Sequence, residues 1–90
     1  MIYLKDETIV ARRIDEEMIL VPVRNEIGDM NSIFVLNEVG SRIWELIDGV
    51  RDTEDIIEII KDEYDAPEHA ERDVLEFITN LKRIGAIRAE

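Results

Sequence analysis

Residues 35 to 49 read Val35-Leu36-Asn37-Glu38-Val39-Gly40-Ser41-Arg42-Ile43-Trp44-Glu45-Leu46-Ile47-Asp48-Gly49, and the fold turns on this stretch. An apolar run closes at Leu36, and Asn37 has the short polar side chain that caps a helix start. Val39, Ile43, Leu46 and Ile47 then recur at helical spacing and make one stripe on one face. Asp48-Gly49 predicts the stop, with Gly49 supplying a left-handed turn. Upstream of this stretch the pattern is that of strands; downstream it is that of helices.

Working upstream, Met30 to Leu36 predicts a third strand and Met18 to Arg24 a second, with Ile19, Val21 and Val23 on one face. Pro22 lacks the ladder donor, so the second strand should lose a partner there or bulge. Thr8 to Ile14, rich in β-branched residues, predicts the first strand, and Asp15-Glu16-Glu17 the turn between the first two. Asn25 to Asp29 predicts a loop with Gly28 at a positive-φ position. Short polar connections make an antiparallel meander the natural pairing. In that register Arg12 and Arg24 could be cross-strand neighbours, the one basic concentration together with Arg13. Residues 1–7 fit either a short strand or a frayed end.

Working downstream, Asp52 or Thr53 caps a second helix, Glu54 to about Tyr64, with an apolar stripe of Ile56, Ile57, Ile59, Ile60 and Tyr64. Pro67 suits the first position of a third helix, Glu68 to Ile84, which stops at Gly85. Its stripe is Ala70, Val74, Phe77, Ile78, Leu81 and Ile84, and Leu75 lies off to one flank. Ala86-Ile87-Arg88 predicts a short extended tail. Three strands followed by three helices imply a single α+β domain over residues 1–90, a three-stranded antiparallel sheet with helices covering one face.

The composition narrows the chemistry. Ninety residues can own a core, since a domain of this size buries somewhat above about 60% of its unfolded surface. Eleven basic and 22 acidic residues give a net charge of −11. Residues 1–45 carry 5 basic and 9 acidic, and residues 46–90 carry 6 and 13, so neither half hides a basic patch. Such a surface repels phosphate backbones and anionic lipid, so neither a nucleic acid nor a membrane is the expected partner. The absence of cysteine excludes disulfides, thiolate nucleophiles and Cys-ligated metals. No apolar run approaches a membrane span, and Met1 to Glu7 is no signal peptide, so the expected location is the cytoplasm.

No constellation of side chains reads as a catalytic site or as a cofactor or metal site. His69, alone of its kind, sits in an acidic first helical turn and reads as surface. Asp62, Glu63 and Asp65 match no calcium-loop spacing and read as a solvated acidic face. Ser41 and Thr53 have no histidine near them in sequence. Trp44 reads as core filler where helix meets sheet. The third strand is different: in a meander it lies at a sheet edge, apolar and without Lys or Pro between Met30 and Leu36. Edges of that kind are either covered or used.

The run from Leu36 to Gly49 resembles the PqqD-like family. So do Thr53 with Ile56-Ile57, and Asp73-Val74, Phe77, Leu81 and Gly85, over about residues 9–88 and in the family's order. The Gly40 and Trp44 version looks more like the broad PqqD-like group than the member of the PQQ pathway itself. The resemblance implies a small winged-helix-like fold without catalysis. It would act as a RiPP recognition element, a chaperone for the leader segment of a ribosomally made precursor peptide. The leader would add as a strand along Ser32, Ile33, Phe34, Val35 and Leu36, beside the third helix. It would then be presented to a modifying enzyme, often a radical S-adenosylmethionine protein.

Two flanks of the third helix could line that groove, one with Leu75, Ile78 and Lys82, the other with Asp73 and Phe77. The first is favoured, because Leu75 otherwise has no reason to be apolar and Lys82 suits an acidic leader. The rival classes are a winged-helix DNA-binding regulator, which shares the architecture, and a homodimer formed through the open edge. Glu68, Glu71, Asp73 and Glu76 on the third helix would face phosphates badly.

Overall fold

The computed structural model describes residues 1–22, 33–64 and 67–90. Its elements are β1 (Tyr3–Lys5), β2 (Ile9–Ile14), β3 (Glu17–Pro22), β4 (Phe34–Leu36), α1 (Glu38–Leu46), α2 (Thr53–Glu63), α3 (Pro67–Arg83) and β5 (Ile87–Ala89). The expected antiparallel sheet is present in the order β2-β3-β4, followed by three helices. The positions Arg24, Gly28, Met30 to Ser32 and Asp65 lie outside the described residues.

The hairpin closes on two residues, Asp15 and Glu16, and Asp15 takes the positive φ of 55° that such a turn requires. Ile14 pairs with Glu17, Arg12 with Ile19 and Ile9 with Pro22. The tight turn sets the register and places Arg12 opposite Ile19; the expected neighbour Arg24 lies outside the described residues. Pro22 ends β3, where a missing donor costs least. Met18, Leu20 and Leu36 are buried on one face of the sheet, while Val10, Ile14, Ile33 and Val35 are exposed.

The helices begin where their caps dictate. The Asn37 side chain accepts the Gly40 N–H at 2.8 Å. Asp52 and Asp55 form a reciprocal capping box, each side chain accepting from the other's backbone N–H. α1 ends at Leu46 with Ile47 as its cap, so Gly49, at φ 81°, shapes the turn just beyond the helix. A Cβ there would sit 2.8 Å from a Leu4 methyl, so Gly49 also admits a neighbour and does not only supply a dihedral. Gly85, at φ 79°, follows α3.

One core joins the layers. Leu20, Ile43, Ile47, Ile56 and Val74 are fully buried, Trp44 fills the junction of helix and sheet, and Phe34, Val39 and Phe77 pack against this core. Two further strands complete the described structure: β1 pairs antiparallel with β5, Tyr3 opposite Ala89 and Lys5 opposite Ile87. Tyr3, Ala86 and Ile87 thereby enter the same core.

Candidate functional site

The site is built on the corner between β4 and α1. The Ser41 hydroxyl donates to the Leu36 carbonyl at 3.2 Å, and the Ser41 N–H donates to the Asn37 carbonyl at 2.8 Å. Ser41 is thus a buried corner post and no nucleophile. Beneath the corner, α1 comes close to α3: a Cβ on Gly40 would lie 3.2 Å from the Phe77 ring. This contact fixes how far α3 stands from β4.

β4 pairs with β3 through Met18–Leu36, Ile19–Val35 and Leu20–Phe34, and among the described strands it is the last of its sheet. The direction of its amides follows from the hairpin. In a two-residue turn the Glu17 N–H bonds back to Ile14, so Glu17 and Ile19 face β2. Alternation then turns Met18 and Leu20 towards β4. Their partners Leu36 and Phe34 point their backbone groups inward, which leaves the N–H and C=O of Val35 on the open side. By the same parity those of Ile33 also point outward.

Beside this edge runs a groove of about 430 Å³ lined by Ile33, Phe34, Val35, Leu36, Phe77, Asn80, Leu81, Arg83 and Ile84. It continues past Phe77 and Asn80 into a second hollow lined by Asn37, Val39, Gly40, Ile43, Asp73 and Glu76. The helical wall is therefore the flank that carries Phe77 and Asp73.

The other expected helix residues lie elsewhere. Leu75, 43% exposed, borders a hollow on the other flank with Glu68, Glu71 and Arg72, and Glu76, Asn80 and Arg83 line both this hollow and the groove or its extension. Ile78 is buried in the core. Lys82 lies over the Tyr3 ring, its Nζ 5.6 Å from the centroid. Of the expected strand residues, Ile33 and Val35 are 58% and 61% exposed, Phe34 is half-buried and Leu36 buried. Ser32 lies outside the described residues. Asn80, Leu81, Arg83 and Ile84 are the additions. The spacing Phe77, Asn80 or Leu81, Ile84 was present as one helical face, but nothing local showed which edge of that face would remain uncovered.

The charges near α1 are engaged with one another. Arg42 donates through Nε and Nη2 to both oxygens of Glu63 at 2.8 Å, a bidentate pair that holds the Glu63 carboxyl below the usual range and the guanidinium above its own. Arg13 pairs with Glu45 across the sheet–helix boundary. Lys5 lies 4.8 Å from the centre of the Trp44 ring, and its burial pulls its pKa down against the opposing pull of Asp48 and Glu45. Backbone N–H groups of Arg51 and Val50 hold the Asp48 carboxyl low. These are structural pairings around the core. No group of metal-ligating side chains occurs among the described residues, and none of their helices is long and apolar enough to cross a membrane.

Comparison with known proteins places this geometry. TbiB1, solved in complex with the TbiA(beta) leader peptide, is 28% identical, with a TM-score of 0.77 over 96% of this chain and 95% of that one. A lasso peptide synthetase B1 complexed with the leader peptide shares the fold at 22% identity, TM-score 0.79, over 97% and 98% of the two chains. No curated protein sequence matches the chain. The sequence profile described as coenzyme PQQ synthesis protein D matches residues 17–87, a span that runs from β3 into β5 and takes in β4, its groove and all three helices. The chain belongs to the coenzyme PQQ synthesis protein D (PqqD) family.

Proposed function

We propose that this protein is a non-catalytic leader-peptide-binding domain. It takes the leader segment of a ribosomally made precursor as an added strand along β4 and presents the precursor to a modifying enzyme in the cytoplasm. The radical S-adenosylmethionine proteins are one class of such enzymes. The observation that carries this reading is the outer edge of β4, unpaired among the described residues and facing an apolar groove, in a fold shared with proteins solved holding leader peptides. Main-chain bonds to Ile33 and Val35 would supply affinity there, and side chains entering between Phe34, Leu36, Phe77 and Leu81 would supply selectivity. The groove carries no nucleophile–base pair among the described residues, and the strong negative charge of the chain opposes a nucleic acid.

The direction of the amides gives the test. Proline at Val35 removes only a donor that faces the peptide; proline at Phe34 removes a rung between β3 and β4. Each variant is titrated with fluorescently labelled leader segments of precursors encoded near its gene, and folding is followed by circular dichroism. Val35→Pro should stay folded and lose roughly two- to tenfold in affinity, the loss of one main-chain bond. Phe34→Pro should melt far below the wild type. A folded Val35→Pro protein that binds as tightly as the wild type would place the peptide elsewhere.

A further inference from the structure

The two ends of the groove carry opposite charge. At the end beside Leu36 and Gly40 the wall presents Asp73 and Glu76; at the end beside Ile33 it presents Arg83. None of the three has an ion-pair partner among the described residues, although four other carboxylates and four other cations do, the His69 pair aside. All three residues are exposed. The rest of the lining is apolar or neutral: Phe34, Leu36, Phe77, Asn80 and Leu81 between them, and Ile84 beyond Arg83. On a surface with 22 acidic residues, an acidic rim is unremarkable; a cation at the far end of an apolar trough is the informative feature.

We infer that the peptide this groove takes is bipolar: a basic side chain at its N-terminal end, an apolar side chain on the same face in the middle, and an acidic side chain at its C-terminal end. The inference rests on the proposed strand addition and specifies its ligand. Antiparallel pairing is the more stable geometry and continues the pattern of the sheet. It sets the peptide N-terminus beside Leu36, hence beside Asp73 and Glu76, and the C-terminus beside Arg83. The spacing fits: the helical rise from Asp73 to Arg83 is about 15 Å. An extended peptide at about 3.3 Å per residue covers that distance in roughly four to five residues. With both charges facing the helix about four residues apart, one apolar side chain of the same parity falls midway between them, where the trough is apolar.

A library of random decapeptides displayed on yeast, selected against the intact chain, lets the groove choose its own ligand. The enriched sequences should carry Lys or Arg about four residues before Asp or Glu, with an apolar residue midway between them. For a selected peptide, Arg83→Glu should weaken binding roughly three- to fivefold, the range for an exposed pair, and replacing the peptide's acid by Lys should restore it. Enrichment that is indifferent to charge, or that reverses the order, overturns the inference.

Asn80→Trp, a change at an exposed position in the seam of the trough, separates the two readings. Peptides that bind it as well as the wild type lie outside the groove, and strand addition itself fails. Peptides lost on Asn80→Trp but flat in charge sink the polarity alone. A library that yields no enrichment, or a wild-type dimer that Asn80→Trp turns into a monomer, removes the bipolar peptide as occupant.

Discussion

Gly40 has two opposing effects that can be separated. In a helix, glycine costs up to about 1 kcal/mol relative to alanine, so Gly40→Ala should stabilise α1 if nothing else changed. The added Cβ, however, would stand 3.2 Å from both the Phe77 ring and the Asn37 carboxamide oxygen. Crowding of a packed contact costs about 1–3 kcal/mol, which outweighs the helical gain. Gly40→Ala should therefore lose about 1 kcal/mol in a denaturant melt, by the difference of those two effects. In a Phe77→Leu background the same substitution should cost less, because the ring edge is gone and only the approach to Asn37 remains. A rise in melting temperature on Gly40→Ala in the wild-type background would show that Phe77 yields freely, and that the groove wall is not set by this contact. In the sequence Gly40 stands inside the first helix, between Val39 and Ser41. Its partner lies at the far end of the chain's helical half, and no local pattern connects them.

Caps do double duty at the scale of the element. Asn37 and Asp52 each satisfy an N–H of a first helical turn, at 2.8 Å to Gly40 and 3.0 Å to Asp55. Loss of either to alanine should cost about 1 kcal/mol. Their positions differ, though. Asn37 stands directly after β4 and lines the extension of the groove, whereas Asp52 opens α2, away from it. Asn37→Ala should lower both thermal stability and leader-peptide affinity, and Asp52→Ala stability alone; equal affinity for the two variants in a titration would disconnect the cap from the site. The legibility of the fold follows the same division. Helix starts were readable because Asn37, Asp52 and Pro67 act within a turn of themselves. The sheet order was readable because consecutive strands of a meander pair as neighbours, and the first two are joined by a two-residue turn. The rotation of α3 was not. Its apolar face is wide enough to include Leu75 and Phe77, and the choice between them is made by Gly40 and the corner at Ser41, which are tertiary contacts. Ile78, central to the stripe, was consequently drawn fully into the core, while Ile84 at its end remained at the groove rim.

Across the whole molecule, the chain ends are drawn together on the side that carries Lys82, and this closure should be energetically separate from the groove. β1 pairs with β5, the Glu90 N–H donates to the Ile2 carbonyl at 3.0 Å, and the Asp6 N–H donates to that of Ala86 at 2.9 Å. The Met1 carbonyl accepts from both the N–H and the hydroxyl of Thr53 at the start of α2. The β1–β5 rungs join opposite ends of the chain, so residues 1–7 offered no periodic signal strong enough to distinguish a strand from a frayed end. Among their side chains Tyr3 is the one buried in the common core, with the Lys82 ammonium over its ring. Removing a buried aromatic costs about 3–5 kcal/mol, and a small domain loses roughly 4–8 °C per kcal/mol, so Tyr3→Ala should lower the melting temperature by at least about 12 °C. Lys82 is spent on this contact and does not line the groove, and Phe77, Leu81 and Ile84 are held from the opposite flank of α3. Leader-peptide affinity measured well below the melting transition should therefore be unchanged in Tyr3→Ala. If affinity falls in parallel with stability, the closure of the termini and the groove form one cooperative unit, and Lys82 must be counted among the residues that shape the site.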